Sequence, residues 1–194
     1  MRRLWMAAAI GSVLICPPVW AATYKVDPDH SSVGFKIRHL LSYVRGEFNE
    51  FEGTLVYDPE HPETWTVSAT IHAASIDTRV PDRDTHLRSS DFFDVEHYPT
   101  VTFTSTRVTE VTATGATLHG TLSIHGVEKP VVLDLQIHGV AKDPWGNVRS
   151  AFTATPTINR KDFGVMWNKV LETGHLLVGE DVEITIDVEG IAQE

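Results

Sequence analysis

Apolar and polar residues alternate one by one along most of this chain. Val33, Phe35 and Ile37 would share one face of a strand, opposite Lys36 and Arg38. The same alternation returns at 65–72, 101–104, 118–124, 131–138 and 182–189. Side chains of a strand point alternately to its two faces, so each stretch has one apolar and one polar face. This pattern is typical of antiparallel sheets, because buried parallel strands read as continuous apolar runs.

Turn-forming residues separate these stretches at intervals that suit hairpins. They occur at Asp58-Pro59, Thr114-Gly115, His125-Gly126, 143–147 and Val178-Gly179. About eight one-sided strands could form a sandwich or a closed barrel. The long uninterrupted stretches 115–125 and 128–140 favour a barrel, because closure removes exposed edges. Gly34, Gly53, Gly120 and Gly139 would allow the coiling that closure requires.

The segment from Arg83 to Asp94 interrupts the strand pattern. Pro81 suits the first turn of a helix, acidic Asp82 and Asp84 suit its N-terminal end, and Arg88 suits its C-terminal end. We predict a helix over Pro81 to Arg88 that runs into Phe92 and Phe93 and forms a lid beside an apolar opening. The segment from Trp167 to Thr173 is a weaker helix candidate that could equally be a long loop.

The first 21 residues have the pattern of a secretory signal peptide. Arg2 and Arg3 precede an apolar run from Leu4 to Ile15 that is short for a membrane span, and small residues follow at a cleavage position. We predict export, with residues 1–21 removed and 22–194 forming a single domain. Cys16 is the one cysteine and lies in the removed part, so the mature chain would have no disulfide.

Acidic charge limits the classes of partner. Removal of Arg2 and Arg3 leaves 14 basic against 26 acidic residues, a formal charge of −12. Nucleic acid is therefore not an expected partner, and neither is an anionic membrane surface. The sequence contains no second apolar span, so we expect no stable membrane anchor. A homodimer is left open.

The motifs of known catalytic and metal sites are missing. The ten histidines include no His-x-His pair on a strand, and no Gly-x-Ser-x-Gly motif occurs. We therefore predict no catalytic residue and no metal site. One alternative stays open, in which Asp84 and His86 act as a base and its partner in an enzyme that acts on a lipid head group. An eight-stranded barrel whose interior is left open would instead hold one apolar ligand.

Seven motifs, in order along the chain, resemble the YceI-like family. They are Asp27-Pro28-Asp29-His30-Ser31, Phe35-x-Ile37-x-His39, Arg45-Gly46-Glu47-Phe48, the stretch from Asp84 to Asp94, Tyr98-Pro99, Gly120 to Gly126, and Asn159-Arg160-x-Asp162-Phe163-Gly164. The resemblance covers essentially all of 22–194. It implies an extended, lipocalin-like eight-stranded antiparallel barrel, exported to the bacterial periplasm, that binds a polyisoprenoid or similar amphiphile in a long internal pore. It implies no catalytic mechanism.

This resemblance, together with the surplus of aromatic residues, gives a predicted ligand-binding set. The ligand would be a quinone or polyprenyl phosphate type of lipid, with no other cofactor, and the protein would serve as its carrier. The predicted residues are Phe35, Ile37, His39, Phe48, Phe51, Ile71, His86, Leu87, Arg88, Phe92, Phe93, Phe103, Leu122, Ile124, Arg160 and Phe163. Of these, His39, His86, Arg88 and Arg160 are candidates for contact with a polar head group.

Overall fold

The computed structural model describes residues 22–172, 174 and 176–193. These residues form one antiparallel sheet and one α-helix. The strands are β1 Ala22–Val26, β2 Ser32–His39, β3 Ser42–Phe48, β4 Phe51–Tyr57, β5 Thr66–His72, β6 Ile76–Asp77, β7 Thr100–Thr109, β8 Gly115–Ile124, β9 Val127–Lys142, β10 Val148–Ala154, β11 Thr157–Asn159 and β12 Val178–Ala192, and the helix is α1 Pro81–Arg88. The predicted signal peptide and Cys16 lie outside the described residues.

The twelve strand segments make up the eight strands of a closed barrel. β1 and β2 together form one bent barrel strand, since β1 pairs with β4, β2 pairs with β3, and the two pairings have almost the same register. β3 continues into β4, β5 into β6, and β10 into β11 in the same way. β12 closes the ring, because it pairs with β10 on one side and with β1 and β2 on the other. The predicted eight-stranded antiparallel barrel is therefore confirmed.

Glycines set the position of two phenylalanines on the inner wall. Gly46 lies opposite Phe35 in the pairing of β2 with β3, and a Cβ atom at Gly46 would come within 2.5 Å of the Phe35 ring. Gly120 likewise leaves space for Phe103, since a Cβ atom added at Gly120 would lie 2.4 Å from the Phe103 ring. A larger residue at either position would displace the ring from the barrel wall.

The helix predicted over Pro81–Arg88 is present with those bounds. The weaker helix candidate is a loop: residues 167–172 have no helical structure, and Val170 forms a bridge with Leu176. The reason is a pair of hydrogen bonds to β12. The Asn168 side chain donates to the Val178 carbonyl and accepts from the Val178 N–H, which holds this segment against the start of β12. No helix among the described residues is long and apolar enough to cross a membrane.

A cluster of charges around Arg149 joins three separate segments of the chain. Its Nη1 donates to Asp27 Oδ2 at 2.7 Å and to Glu189 Oε1 at 2.5 Å, and its Nε donates to Asp143 Oδ2 at 2.9 Å. The hydrogen bond from Arg149 is the main cause that holds the pKa of Asp27 below its ordinary value. Burial raises the pKa of Asp143, but hydrogen bonds from Arg149 and Asn147 outweigh it, so that pKa is also lowered. Ion pairing thus links the β9–β10 turn to the end of β1 and to β12.

This cluster predicts a specific pH dependence of stability. A carboxyl whose pKa is lowered by folding stabilises the fold fully at pH values above its pKa in the unfolded chain, about 3.9. This contribution is lost progressively as the pH falls from about 5 towards the pKa of the same carboxyl in the folded state. In Arg149→Met the contribution is already missing at pH 7. We expect the difference in Tm between wild type and variant to be largest at pH 7 and to narrow towards pH 3.

Arg107→Met is the matched control, because Arg107 is exposed on β7 and the substitution removes the same charge. Thermal unfolding followed by circular dichroism between pH 7 and pH 3 measures the difference. A gap between wild type and Arg149→Met that stays constant with pH would contradict this account.

Candidate functional site

The barrel interior contains two cavities that share part of their walls. The first, of about 230 Å³, lies beside α1, and the second, of about 200 Å³, lies towards β1, β4 and β5. Val101, Ile124, Ile158 and Ile184 line both. The two cavities therefore form neighbouring chambers of one pore along the barrel axis.

The length of the pore follows from strand geometry. Val178 lines the first chamber and Val188 lines the second, and both lie on β12. The step from Val178 to Val182 faces only the step from His39 to Ile37 on β2, so the stretch from Val178 to Val188 has the length of about eight regular strand residues. Eight residues cover about 26 Å, and the usual tilt of barrel strands reduces this to about 20 Å along the axis. One leaflet of a bilayer has a hydrocarbon depth of about 15 Å, half of the roughly 30 Å core. The pore is thus longer than a chain that spans one leaflet.

Fifteen of the sixteen predicted binding residues line this pore. Those in the first chamber are Phe35, Ile37, His39, Phe48, His86, Leu87, Phe92, Phe93, Ile124, Arg160 and Phe163, and those in the second are Phe51, Ile71, Phe103, Leu122 and again Ile124. Strand alternation accounts for nine of the fifteen, because the apolar face of each predicted strand turns inward; the other six lie on α1, in the segment after it and in the turn that contains Arg160 and Phe163.

Arg88 does not line either chamber, which corrects its predicted place at the opening. Its Nε donates to the Ala74 carbonyl and its Nη2 donates to the Ile76 carbonyl, each at 2.7 Å. Arg88 therefore fastens the C-terminal end of α1 to the turn between β5 and β6. The sequence could not show this, since a basic residue at a helix end is equally suited to a ligand and to nearby carbonyl groups.

Aromatic side chains from the segment after α1 cover the first chamber. Phe92 is buried and packs against the indole of Trp167, with ring centroids 5.1 Å apart. Phe93 is half-buried and meets Phe48 edge to face at 5.7 Å. Both residues line the chamber, as the position of the segment at the end of the barrel requires. Sequence patterns did not indicate that Trp167 contacts Phe92, because its loop has no periodic pattern.

Exposed apolar residues border the same end of the pore. Leu41 is 87% exposed at the turn between β2 and β3, next to Leu40, whose N–H donates to the Leu177 carbonyl. Val170 and Leu176, which bridge each other, are also exposed. Since Leu177 lines the first chamber, these side chains form an apolar rim beside it.

The other end of the pore is packed with aromatic residues. The rings of Tyr57 and Trp65 lie 4.6 Å apart, and Tyr57 also meets Phe152 edge to face at 5.0 Å. Tyr24 is fully buried in the same cluster. The second chamber therefore ends against a dense core.

Asp84 and His86 do not form the pair that the enzyme alternative requires. Asp84 is buried, and its Oδ1 accepts from both the backbone N–H and the hydroxyl of Thr78. His86 instead lies 2.8 Å from Asp91 Oδ2 and packs edge to face against Phe92. Residues two apart on a helix point in different directions, which separates the two side chains.

The polar residues of the first chamber are all basic or imidazole groups. They are His39, Arg83, His86 and Arg160, with no carboxylate among the residues that line this chamber. Arg83 is bonded to Thr78 through Nε and Nη2, and His86 is bonded to Asp91. The surface of the chamber is almost entirely apolar, so these four residues line it mainly with carbon atoms.

Comparison with known proteins places the chain in a family. The model of the YceI-like domain matches residues 24–190. The chain belongs to the YceI-like family. A UPF0312 protein of Ectopseudomonas mendocina is 40% identical over the full length of both chains.

Solved structures agree with the barrel. The YCEI protein of Campylobacter jejuni is 34% identical, with a TM-score of 0.69 over 82% of this chain and 91% of that one. A polyisoprenoid binding domain from Saccharophagus degradans is 15% identical, with a TM-score of 0.67 over 90% of this chain and all of the other, and this likeness concerns the fold alone.

One group of side chains in this YceI-like barrel has the spacing of metal ligands. Ligand atoms of Asp27, His30 and Glu189 lie within 4.8 Å of one another. Arg149 already donates to Asp27 and Glu189, so its guanidinium offsets part of their negative charge. Both carboxylates are thus already paired within the chain.

We therefore expect the fold to be independent of metal. Dialysis against EDTA should leave the Tm unchanged, because Arg149 already donates hydrogen bonds to both carboxylates of the one candidate ligand group found among the described residues. Differential scanning calorimetry before and after dialysis tests this, with added Zn²⁺ or Ca²⁺ as the reverse experiment. A fall of several degrees that the added ion restores would refute it.

Proposed function

We propose that the protein is a periplasmic carrier that holds one isoprenoid lipid, of the quinone or polyprenyl phosphate type, inside the barrel. The observation behind this proposal is the pair of adjacent apolar chambers inside the barrel, whose lining extends over about 20 Å by strand geometry. The proposal includes no catalytic step.

The shape of the pore favours a long, thin chain. A filled barrel would be a scaffold alone, whereas these two chambers leave space along the axis between inward-facing side chains. Burial of apolar chain contributes about 0.8 kcal/mol per methylene group, so a chain that fills the pore would bind tightly even after its ordering cost.

Two further observations support the proposal. The structural neighbour from Saccharophagus degradans is described as a polyisoprenoid binding domain. The N-terminal 21 residues have the pattern of a signal for export, and a soluble carrier is the means by which so apolar a chain could cross an aqueous compartment.

Native mass spectrometry of the protein purified from its own host tests the proposal directly. We expect a bound mass that organic extraction removes and that chromatography identifies as an isoprenoid lipid. The emptied protein should then bind added ubiquinone or polyprenyl phosphate. A protein that carries no lipid and binds neither compound would rule the carrier function out.

Phe92 and Phe93 should respond differently to truncation. Phe93→Ala removes a half-buried ring that lines the first chamber. We expect the binding free energy of the isoprenoid lipid to weaken by about 1 to 3 kcal/mol, with a smaller loss of unfolding free energy than in Phe92→Ala. Phe92→Ala removes a buried ring from the core and should cost about 3 to 5 kcal/mol of unfolding free energy.

Trp145→Ala serves as the control for both, because Trp145 is exposed in the turn between β9 and β10. Ligand titration and urea unfolding are measured for all three variants. If Phe93→Ala loses stability as heavily as Phe92→Ala while its ligand affinity is unchanged, Phe93 is a core residue and not part of the binding wall.

A further inference from the structure

Two leucines occupy the turn between β2 and β3, where glycine or polar residues are usual. His39 pairs with Ser42, so Leu40 and Leu41 are the two residues of this turn. Leu40 has a φ of 52°, in the left-handed region that favours glycine, asparagine or aspartate. Leu41 is 87% exposed. The needs of the turn therefore do not account for leucine at either position.

A second exposed apolar segment lies beside this turn. The Leu40 N–H donates to the Leu177 carbonyl at 2.8 Å, which brings the turn next to the bridge between Val170 and Leu176. Val170 is 67% exposed and Leu176 is 41% exposed. Single exposed apolar residues are common, whereas a contiguous group of them marks an interaction site. The apolar rim, made of Leu40, Leu41, Val170 and Leu176, is such a group.

The segments that carry the apolar rim are basic, although the chain as a whole is acidic. Residues 36–45, 165–171 and 176–179 contain no acidic residue and four basic ones, which are Lys36, Arg38, Arg45 and Lys169. Arg38 and Lys169 are exposed, and neither belongs to an ion pair among the described residues. The rim is thus flanked by positive charge that the fold itself does not neutralise.

Little negative charge opposes these cations at the rim. Glu172 is the one acidic residue between 165 and 179. Asp91, in the segment that covers the first chamber, lies 2.8 Å from His86, and Glu183 on β12 is paired with Lys36. Positive charge therefore exceeds negative charge in the segments around the rim.

The rim also adjoins the first chamber, because Leu177 and Val178 follow Leu176 directly and both line it. An apolar surface bordered by cations matches a bilayer with an anionic surface. Apolar side chains enter the boundary of the hydrocarbon, while lysine and arginine side chains remain among the head groups. Charge and apolarity thus favour the same partner.

We propose that the apolar rim docks this end of the barrel reversibly onto an anionic phospholipid bilayer. Leu41 and Val170 enter the bilayer surface, and Arg38 and Lys169 face the lipid phosphates. The acidic charge of the rest of the chain is repelled by the same surface, which orients the docked protein. Docking does not depend on which ligand the pore holds. It adds to the proposed carrier function the end at which a lipid would be exchanged with a membrane.

Sedimentation with sucrose-loaded vesicles tests the docking. One set of vesicles contains phosphatidylcholine alone, and the other contains phosphatidylcholine and phosphatidylglycerol in equal parts. We expect wild type to sediment with the anionic vesicles at low salt and to be released by added salt, because salt screens the attraction of its cations. Hydrogen exchange of vesicle-bound wild type should show protection at the β2–β3 turn and around Val170, and not at the turn that contains Trp145.

Leu40→Gly combined with Leu41→Ser separates docking from folding. Glycine adopts the left-handed conformation without strain and serine suits a turn, so the Tm should not fall. Affinity for anionic vesicles should fall at least about tenfold, since burial of a leucine side chain supplies free energy of that order. Arg38→Gln should weaken binding about fivefold at low salt. Val132→Ser and Arg107→Gln, both exposed on the outer wall, are the matched controls and should bind as wild type does.

Three results would each overturn the proposal and leave the carrier function standing. They are the absence of wild type from the anionic vesicle pellet at low salt, protection from exchange confined to other surfaces, and wild-type affinity in the double leucine variant. Analytical ultracentrifugation covers the alternative that the rim joins two copies of the chain. A wild-type dimer that the double variant loses, without vesicle binding, overturns membrane docking as well. Failure of the carrier function would instead appear as the absence of bound lipid, with vesicle binding unchanged.

Discussion

Closure of the sheet through β12 is the constraint on which the rest of the structure depends. This strand pairs with β10 along one edge and with the bent strand formed by β1 and β2 along the other. Closure pairs the backbone groups that an open sheet would leave at its edges. It also turns the apolar face of every strand towards one axis, so that simple alternation in the sequence becomes a continuous apolar interior.

The interior keeps open chambers because aromatic side chains lie along its inner surface and do not fill it. Glycines opposite Phe35 and Phe103 let these rings lie against the wall, and the dense cluster of Tyr24, Tyr57 and Trp65 occupies one end only. One end of the pore is therefore packed with aromatic residues, and the other is covered by the segment that follows α1.

The two ends of the barrel use their arginines in opposite ways. Arg149 is surrounded by Asp27, Asp143 and Glu189, and its charge is fully balanced. Arg160 donates to two carbonyl groups and retains a buried nitrogen without a partner. The first arrangement links separate segments of the chain through ion pairs, whereas the second leaves one buried donor without a hydrogen bond among the described residues.

The sequence by itself determined the all-β class, the helix over Pro81–Arg88 and the residues that face the pore, because strand alternation and helix-end chemistry are local properties. It could not determine the partners of Asp84, His86 and Arg88, since each has several acceptable partners that only the fold selects. The irregular segment around Trp167 was also beyond it, because contacts with distant Val178 override local helix propensity. Tertiary structure alone decided that Arg160 keeps one nitrogen free, because that depends on which carbonyl groups the closed barrel brings within reach.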